Sequence, residues 1–475
     1  MTRNASLDAV VVGSGPNGLA AAITLARAGR SVRVYEAQPT LGGGVRSAEL
    51  TRPGYVHDLA STVHALTLLS PFLKSLPLEE HGLSLAHPVA PFAHPLDDGT
   101  AVVVERSVAD TAQGLGTADG QAYRALLSPF VEGAGELMEA ILGPFGLRHP
   151  RMAAAFARYA LRSATGLAGA EFRDKRTHAM MAGVAAHGMV PLDRMVTAGY
   201  GLALTVAAHA VGWPVARGGS QEVTNAMVAY LRSIGGEVVT DARIDSLAQL
   251  PPSRVVLCDV TPRQFLRLAG EDLPRLYRWR MSRYRYGPGV FKMDWALDAP
   301  VPWRARECHR AGTIHIGGSM TDIAQSERDT WEGRVPERPY VLAVQATQFD
   351  PTRAPTGKHT LWAYCHVPNG CTTDMSERIE RQIERFAPGF RECIGERHTM
   401  SPADLERGNA NLVGGDIGGG AADIRQLFFR PIATLSPYRT PLDGVFLCSS
   451  STPPGIGVHG MCGYYAARAA LKTMR

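Results

Sequence analysis

VVVGSGPNGLAAAITLARAGRSVRVYEAQPTLGGGVRS, spanning Val10 to Ser47, reads as strand, glycine turn, helix, strand and second glycine turn. The apolar run Val10-Val11-Val12 suits a parallel strand covered on both faces. Gly13, Gly15 and Gly18 form G-x-G-x-x-G. The first allows a tight turn, the second lets backbone approach a pyrophosphate, and the third permits close helix–strand packing. Leu19, Ala22, Ile23 and Leu25–Ala26 keep helical spacing until Gly29, a common stop. Val32 and Val34 then lead to Glu36, where a carboxylate can accept bonds from ribose hydroxyls. Strand, helix and terminal acid in register make a dinucleotide site a specific expectation.

Beyond Glu36 comes Gly42-Gly43-Gly44-Val45-Arg46-Ser47, a second turn built for close backbone approach. Here the sequence resembles the FAD-binding fold of the glutathione-reductase type, and within it the superfamily of amine oxidases and phytoene desaturases. Glu36, Gly42, Gly43 and Ser47 match the pattern of those proteins. Many relatives place Arg directly after the two glycines, where this chain has Gly44 and carries Arg46 instead. The resemblance implies FAD rather than NAD. It places the dinucleotide against Gly13, Gly15, Pro16, Asn17 and Gly18, with Glu36 and Ala37 at the ribose. Gly43, Gly44 and Arg46 then lie near the pyrophosphate and flavin.

The carboxyl end completes the resemblance. Asp443–Cys448 reads as a turn and strand leading into SSSTPPGIGVHGMCGYYAARAAL, a glycine-rich loop feeding an alanine-rich helix. Unpaired amides and the helix dipole favour an anion at such a start. The resembled proteins direct this end at the flavin pyrimidine ring, which carries over to Gly457, Val458 and His459. Ser449 stands where relatives commonly have Gly, and Pro453 where they have His. Gly218-Gly219-Ser220, a helix, Gly235-Gly236 and the strand Glu237-Val238-Val239 form another returning unit, and the resemblance brings backbone near Val238 to the adenine edge. The expected architecture is α/β. A glutathione-reductase-type Rossmann FAD-binding domain (1–65, 215–262 and 425–475) is interleaved with an α+β substrate domain (66–214 and 263–424).

Composition fits a soluble globular enzyme. Hydrophobic residues make up 45% and charged residues 20%, enough for a large core. The net charge of +5 is slight for this length and argues against nucleic acid as a partner. Seven cysteines without C-x-x-C spacing argue against a disulfide framework or a dithiol relay. The early first strand leaves no room for a secretory signal, so the expected location is cytoplasmic. The uncharged stretch between Arg194 and Arg217 has the length of a membrane span, but Gly199, Gly201, Thr205, His209, Gly212 and Pro214 make it a buried helix lining a pocket. Partial insertion into one leaflet, a peripheral membrane contact, is the other reading.

Catalytic candidates are fewer. In Gly289–Leu297 a period of two puts Lys292 and Asp294 on one face and Phe291, Met293, Trp295 and Leu297 on the other. The pair is either a solvated ion pair or a functional one. On the second reading Lys292 resembles the lysine that monoamine oxidases hold, through water, beside flavin N5. His57, with Asp58 to orient it, and His64 follow the glycine triplet and offer proton transfer, or else core and capping roles. No spacing of His, Cys and carboxylates suggests a metal. The leading function is an FAD-dependent oxidoreductase passing hydride between flavin N5 and a hydrophobic, isoprenoid- or lipid-like small molecule, as desaturase, saturase or isomerase. The alternatives are an amine oxidase using oxygen, and a flavin-bound partner protein without turnover.

Overall fold

A computed structural model describes residues 7–143 and 148–474. Two sheets organise the chain, and they take their strands in alternation. The first is a five-stranded parallel sheet with spatial order 445–447, 253–258, 7–12, 32–35 and 237–239. Its central strand Leu7–Val12 is flanked on both sides, with Val10 opposite Val256 and Arg33, so the apolar run sits where both faces are covered. The first helix, Pro16–Arg27, begins with proline in its first turn and ends just before Gly29, whose φ of +75° favours glycine. The C-terminal helix Met461–Leu471 crosses it closely: a Cβ on Gly463 would meet the Asn17 carbonyl oxygen at 1.8 Å.

The second sheet has seven strands in the order 394–400, 289–297, 359–367, 341–344, 311–316, 90–95 and 101–104. All neighbours are antiparallel except 311–316 against 90–95. One face carries Phe291, Met293, Trp295, Val341, Ala343, Leu361 and Ala363 into an apolar core. Period two therefore turns Val290, Lys292, Leu342, Val344, Trp362 and Tyr364 to the opposite face. That face is also covered, and all nine residues of Gly289–Leu297 are buried. The solvated Lys–Asp face that the strand pattern allows is thus not formed.

The uncharged stretch after Arg194 folds as the helix Thr197–Val211, packed in the main core. It lines a pocket and does not lie on the surface. No helix among the described residues is long and apolar enough to cross a membrane.

Candidate active site

A single cavity of about 1510 Å³ runs from the first glycine turn to the face of the seven-stranded sheet. Small-ligand pockets occupy roughly 300–1,000 Å³, so there is room for a dinucleotide and a second molecule together. At one end the wall is Gly13, Ser14, Gly15, Pro16 and Asn17, with Glu36 and Ala37 beside them. The helix Pro16–Arg27 aims its amino end here and has no acidic residue in its first turn, which leaves its dipole free for an anion. Asn17 Oδ1 is buried without a hydrogen-bond partner. Glu36 accepts from Ser14 N at 2.9 Å, Ser14 Oγ at 2.6 Å and Gln38 N at 2.9 Å. Short donors thus fix its carboxylate at the strand end, where a ribose would lie. These residues fit a dinucleotide.

The glycines divide their work. A Cβ on Gly18 would strike the Gly13 carbonyl oxygen at 2.1 Å, which is the close helix–strand packing the motif requires. A Cβ on Gly15 would instead meet Asp259 Oδ2 at 2.6 Å. The space beside Gly15 is therefore held by a carboxylate of the chain itself. Gly43 lies against the first turn, its absent Cβ falling 3.0 Å from Gly15 Cα. Gly43, Gly44 and Arg46 all line the cavity. Arg46 Nε donates to Gly43 O at 2.8 Å and one terminal nitrogen to Gly408 O at 2.9 Å, joining the glycine turn to the end of the helix Pro402–Gly408. Burial lowers its pKa, with Glu36 opposing.

Sequence reasoning missed Asp259. It ends the strand Ser253–Cys258, accepts the Gly18 N–H at 2.9 Å and lines the cavity. Burial, opposed by that N–H and reinforced by Glu36, pushes its carboxyl up to about 7. The available signal was an acid closing a third parallel strand, the position Glu36 holds on the second.

Other expected cofactor contacts fall unevenly. Gly457 and Val458 line the cavity, but His459 does not. Its ring is buried, and Nδ1 accepts the Met461 N–H at 3.0 Å, so the side chain caps the C-terminal helix. Gly18 and Val238 also lie off the cavity. Val238 pairs with Val34 inside the sheet, and the wall there is formed by Ala242, Arg243, Ile244 and Asp245.

At the other end the chamber is lined by Lys292, Trp362, Tyr364, Trp213, Leu342 and His187. Lys292 is buried, its ammonium paired with Asp294 and 5.9 Å from the Trp362 ring centre. Burial lowers its pKa while Asp294 works to raise it. Asp294 Oδ1 lies 3.6 Å from His57 Nδ1, and Asp294 Oδ2 lies 3.8 Å from Nδ1 of the partly exposed His398. A cavity-facing cation, a buried carboxylate and an imidazole reaching solvent therefore stand in series.

Neither histidine proposed for proton transfer lines the cavity. His57 bonds Thr51 Oγ1 through Nε2 at 2.8 Å, and burial pushes its pKa down to about 4. Asp58 does not orient it, because successive strand residues point to opposite faces. Asp58 instead accepts from Ser47 Oγ at 2.6 Å, Ser220 N at 2.7 Å and Arg353 at 2.6 Å. His64 is fully buried, with Nε2 2.9 Å from Ser220 Oγ and a pKa that burial lowers to about 4. Both are joints between segments.

A parallel sheet carrying a glycine-rich turn, with a cavity that continues onto a second sheet, forms a Rossmann-type dinucleotide site with room for a second molecule. Comparisons with known proteins agree. Residues 11–76 match the NAD(P)-binding Rossmann-like domain family. The pyridine nucleotide-disulfide oxidoreductase domain-containing protein 2 of Rattus norvegicus is 27% identical over 98% of this chain and 94% of its own length. The neurosporene-forming phytoene desaturase of Rhodobacter capsulatus is 24% identical over 52% of this chain and 51% of its own. An oxidoreductase structure from Methanosarcina mazei superposes with a TM-score of 0.65 at 15% identity, covering 98% of this chain and 99% of that one. Putrescine oxidase bound to putrescine gives 0.62 at 18% identity, covering 99% of each chain. In sequence the chain is thus similar to an oxidoreductase-domain protein and a phytoene desaturase, and in fold to an oxidoreductase and an amine oxidase.

Proposed function

We propose that this chain is an FAD-dependent oxidoreductase of the phytoene-desaturase-like kind, acting on a hydrophobic, isoprenoid- or lipid-like molecule as desaturase, saturase or isomerase. The observation that carries this reading is the continuity of one cavity from the glycine cradle to a largely apolar chamber. Bound FAD would supply the hydride acceptor or donor, the chemistry that belongs to the cofactor. The chain's own part is to hold and dry the site. Gly13, Gly15 and the amino end of the first helix would take the pyrophosphate, Glu36 the ribose, and Gly43, Arg46, Gly457 and Val458 the remainder. Trp213, Leu342 and Trp362 exclude water and align an apolar chain. Lys292 holds a proton at Nζ inside the chamber, and Asp294 and His398 stand between it and solvent. The cysteines of the chain are free, and burial pushes the Cys258 thiol up to about 12, which disfavours thiol–disulfide chemistry.

One observation favours a second reading. Lys292 lies beside Trp362 and Tyr364, whose rings meet edge-on at 5.2 Å, an aromatic wall that an amine would also accept. Anaerobic mixing with polyisoprenoids and with amines distinguishes the two. Bleaching of the flavin by the isoprenoid supports the proposal, whereas bleaching by amines with peroxide formed on air supports the oxidase. Bleaching by neither class points to a flavin-bound protein without turnover. Lys292→Met, paired with the Lys292→Met/Asp294→Asn double variant to avoid a lone buried carboxylate, should retain flavin and change its reoxidation by oxygen about a hundredfold or more, the scale of a positioned proton-transfer group. Unchanged reoxidation would remove Lys292 from the chemistry.

A further inference from the structure

The net charge conceals a local arrangement. Between Leu273 and Met293 there is no acidic residue but five arginines, Arg275, Arg278, Arg280, Arg283 and Arg285, interleaved with Leu276, Tyr277, Trp279, Tyr284 and Tyr286. A second acid-free stretch, Ile424–Leu442, carries Arg425, Arg430 and Arg439 with Phe428, Phe429 and Leu435. The two stretches are packed together. Arg285 pairs with Asp423, Gln426 Nε2 donates to Arg285 O at 2.9 Å, and Ile432 and Leu442 join Leu273 and Met281 in one small core. What remains outside is apolar and cationic. Leu276 and Trp279 are exposed on the helix Arg275–Ser282, and Phe428, Phe429 and the fully exposed Leu435 stand on the neighbouring segment. Arg283 lies 4.2 Å over the Trp279 ring. A solvated surface has no reason to gather large apolar side chains among unpaired guanidinium groups.

Phe428 and Leu435 belong to the cavity wall as well as to the outer surface. They therefore stand at its mouth. Aromatic and leucine side chains flanked by arginines match the boundary of an anionic bilayer, where rings sit at headgroup level and cations meet lipid phosphates.

We infer that the surface formed by Arg275–Arg285 and Phe428–Leu435 docks peripherally on an anionic phospholipid bilayer, with the cavity mouth turned to the leaflet. Docking does not depend on the reaction. Only the corollary, that a lipophilic substrate enters from the leaflet, rests on the function proposed above.

The test is flotation of the full-length, cofactor-loaded protein with vesicles of phosphatidylcholine, alone or with about one-third phosphatidylglycerol. Binding should require phosphatidylglycerol and weaken with added salt, as screening demands. Each arginine removed should cost about fivefold in partitioning, so Arg275→Glu/Arg280→Glu/Arg283→Glu should abolish it. Trp279→Ser/Phe429→Ser should weaken binding to the same vesicles with the arginines intact. Flavin absorbance and melting temperature identify variants that remain folded, and the single changes Trp279→Ala and Arg280→Ala serve if a multiple variant does not. Failure to float with phosphatidylglycerol, or equal flotation of the arginine variant, overturns the inference. So does poly(U) binding tight enough to displace the vesicles, or a dimer in sedimentation that the same substitutions split. Turnover enters none of these readouts, so an error about the substrate would leave the docking result legible.

Discussion

The two ends of the cavity are built by different means. At the cradle the chain works with main-chain geometry: the Gly13–Gly18 turn, the amino end of a helix, and a second glycine turn laid on the first. At the chamber it works with buried side chains from strands far apart in sequence, including Lys292, Trp362 and Tyr364. The cradle is local and intolerant of any added atom. The chamber is distributed, and its charges are tolerable only because each has a partner. The lesson is that the cradle should fail by collision and the chamber by loss of charge compensation.

The largest effect should come where the ends are tied together. Arg353 is fully buried and bonds Asp58, Asp350 and the Ala216 carbonyl. Burial works to raise the Asp58 carboxyl, yet Arg353 and the Ser47 and Thr62 hydroxyls outweigh it and hold the carboxyl below its usual range. Arg353→Met should cost ~3–5 kcal/mol in urea unfolding at neutral pH, because it leaves an uncompensated buried charge. For the wild type, the contribution of Asp58 is present above the unfolded carboxylate value and is lost as pH falls through the depressed folded one. The penalty of the variant should therefore shrink in acid. A loss independent of pH would mean that packing, not charge, makes the joint.

Collision comes next. With FAD bound as proposed, Gly18→Val should lose flavin and cost about 1–3 kcal/mol, since the Gly13 carbonyl cannot move without opening the turn. Visible absorbance per chain and thermal unfolding measure the two effects. Flavin retained at full occupancy would show that the cradle tolerates bulk and would break the contrast.

Asp259 crosses the division, being a buried titratable group inside the cradle. Its folded pKa is raised to about 7, so the folded state binds a proton that the unfolded chain releases near 3.8. Stability from this group is present below the unfolded value and is lost as pH rises toward the folded one, by up to roughly 1.4 kcal/mol per unit within that window. Asp259→Asn should flatten the slope while keeping an acceptor for the Gly18 N–H. An unchanged pH profile of the unfolding midpoint would assign the titration elsewhere.

The smallest effect belongs to the floor between the two ends. Ser401 caps the helix Pro402–Gly408, accepting from Asp404 N, and Arg46 holds that helix by its last carbonyl. Ser401→Ala should cost about 1 kcal/mol by chemical denaturation, with flavin occupancy unchanged. Loss of flavin would show that Arg46 needs the helix in place.

What the sequence by itself determined is the part whose physics is local. A glycine that must make way for a carbonyl, a helix start without acids and a carboxylate at a strand end all lie in one strand–helix–strand stretch, so Val10 to Ser47 announces the cradle. The buried fate of Thr197–Val211 was legible for the same reason, from glycines and polar groups within the stretch. What only the tertiary structure decided depends on what covers a face. Period two placed Lys292 beside Asp294, but whether the pair met water or a closed chamber depended on the helices and loops laid over that face. His57 and His64 look alike in sequence to any histidine that works in a site. Their rings were committed to Thr51 and Ser220 by contacts that no spacing records. Asp259 acquires its role because residues more than two hundred positions away bring Gly15 and Gly18 against it.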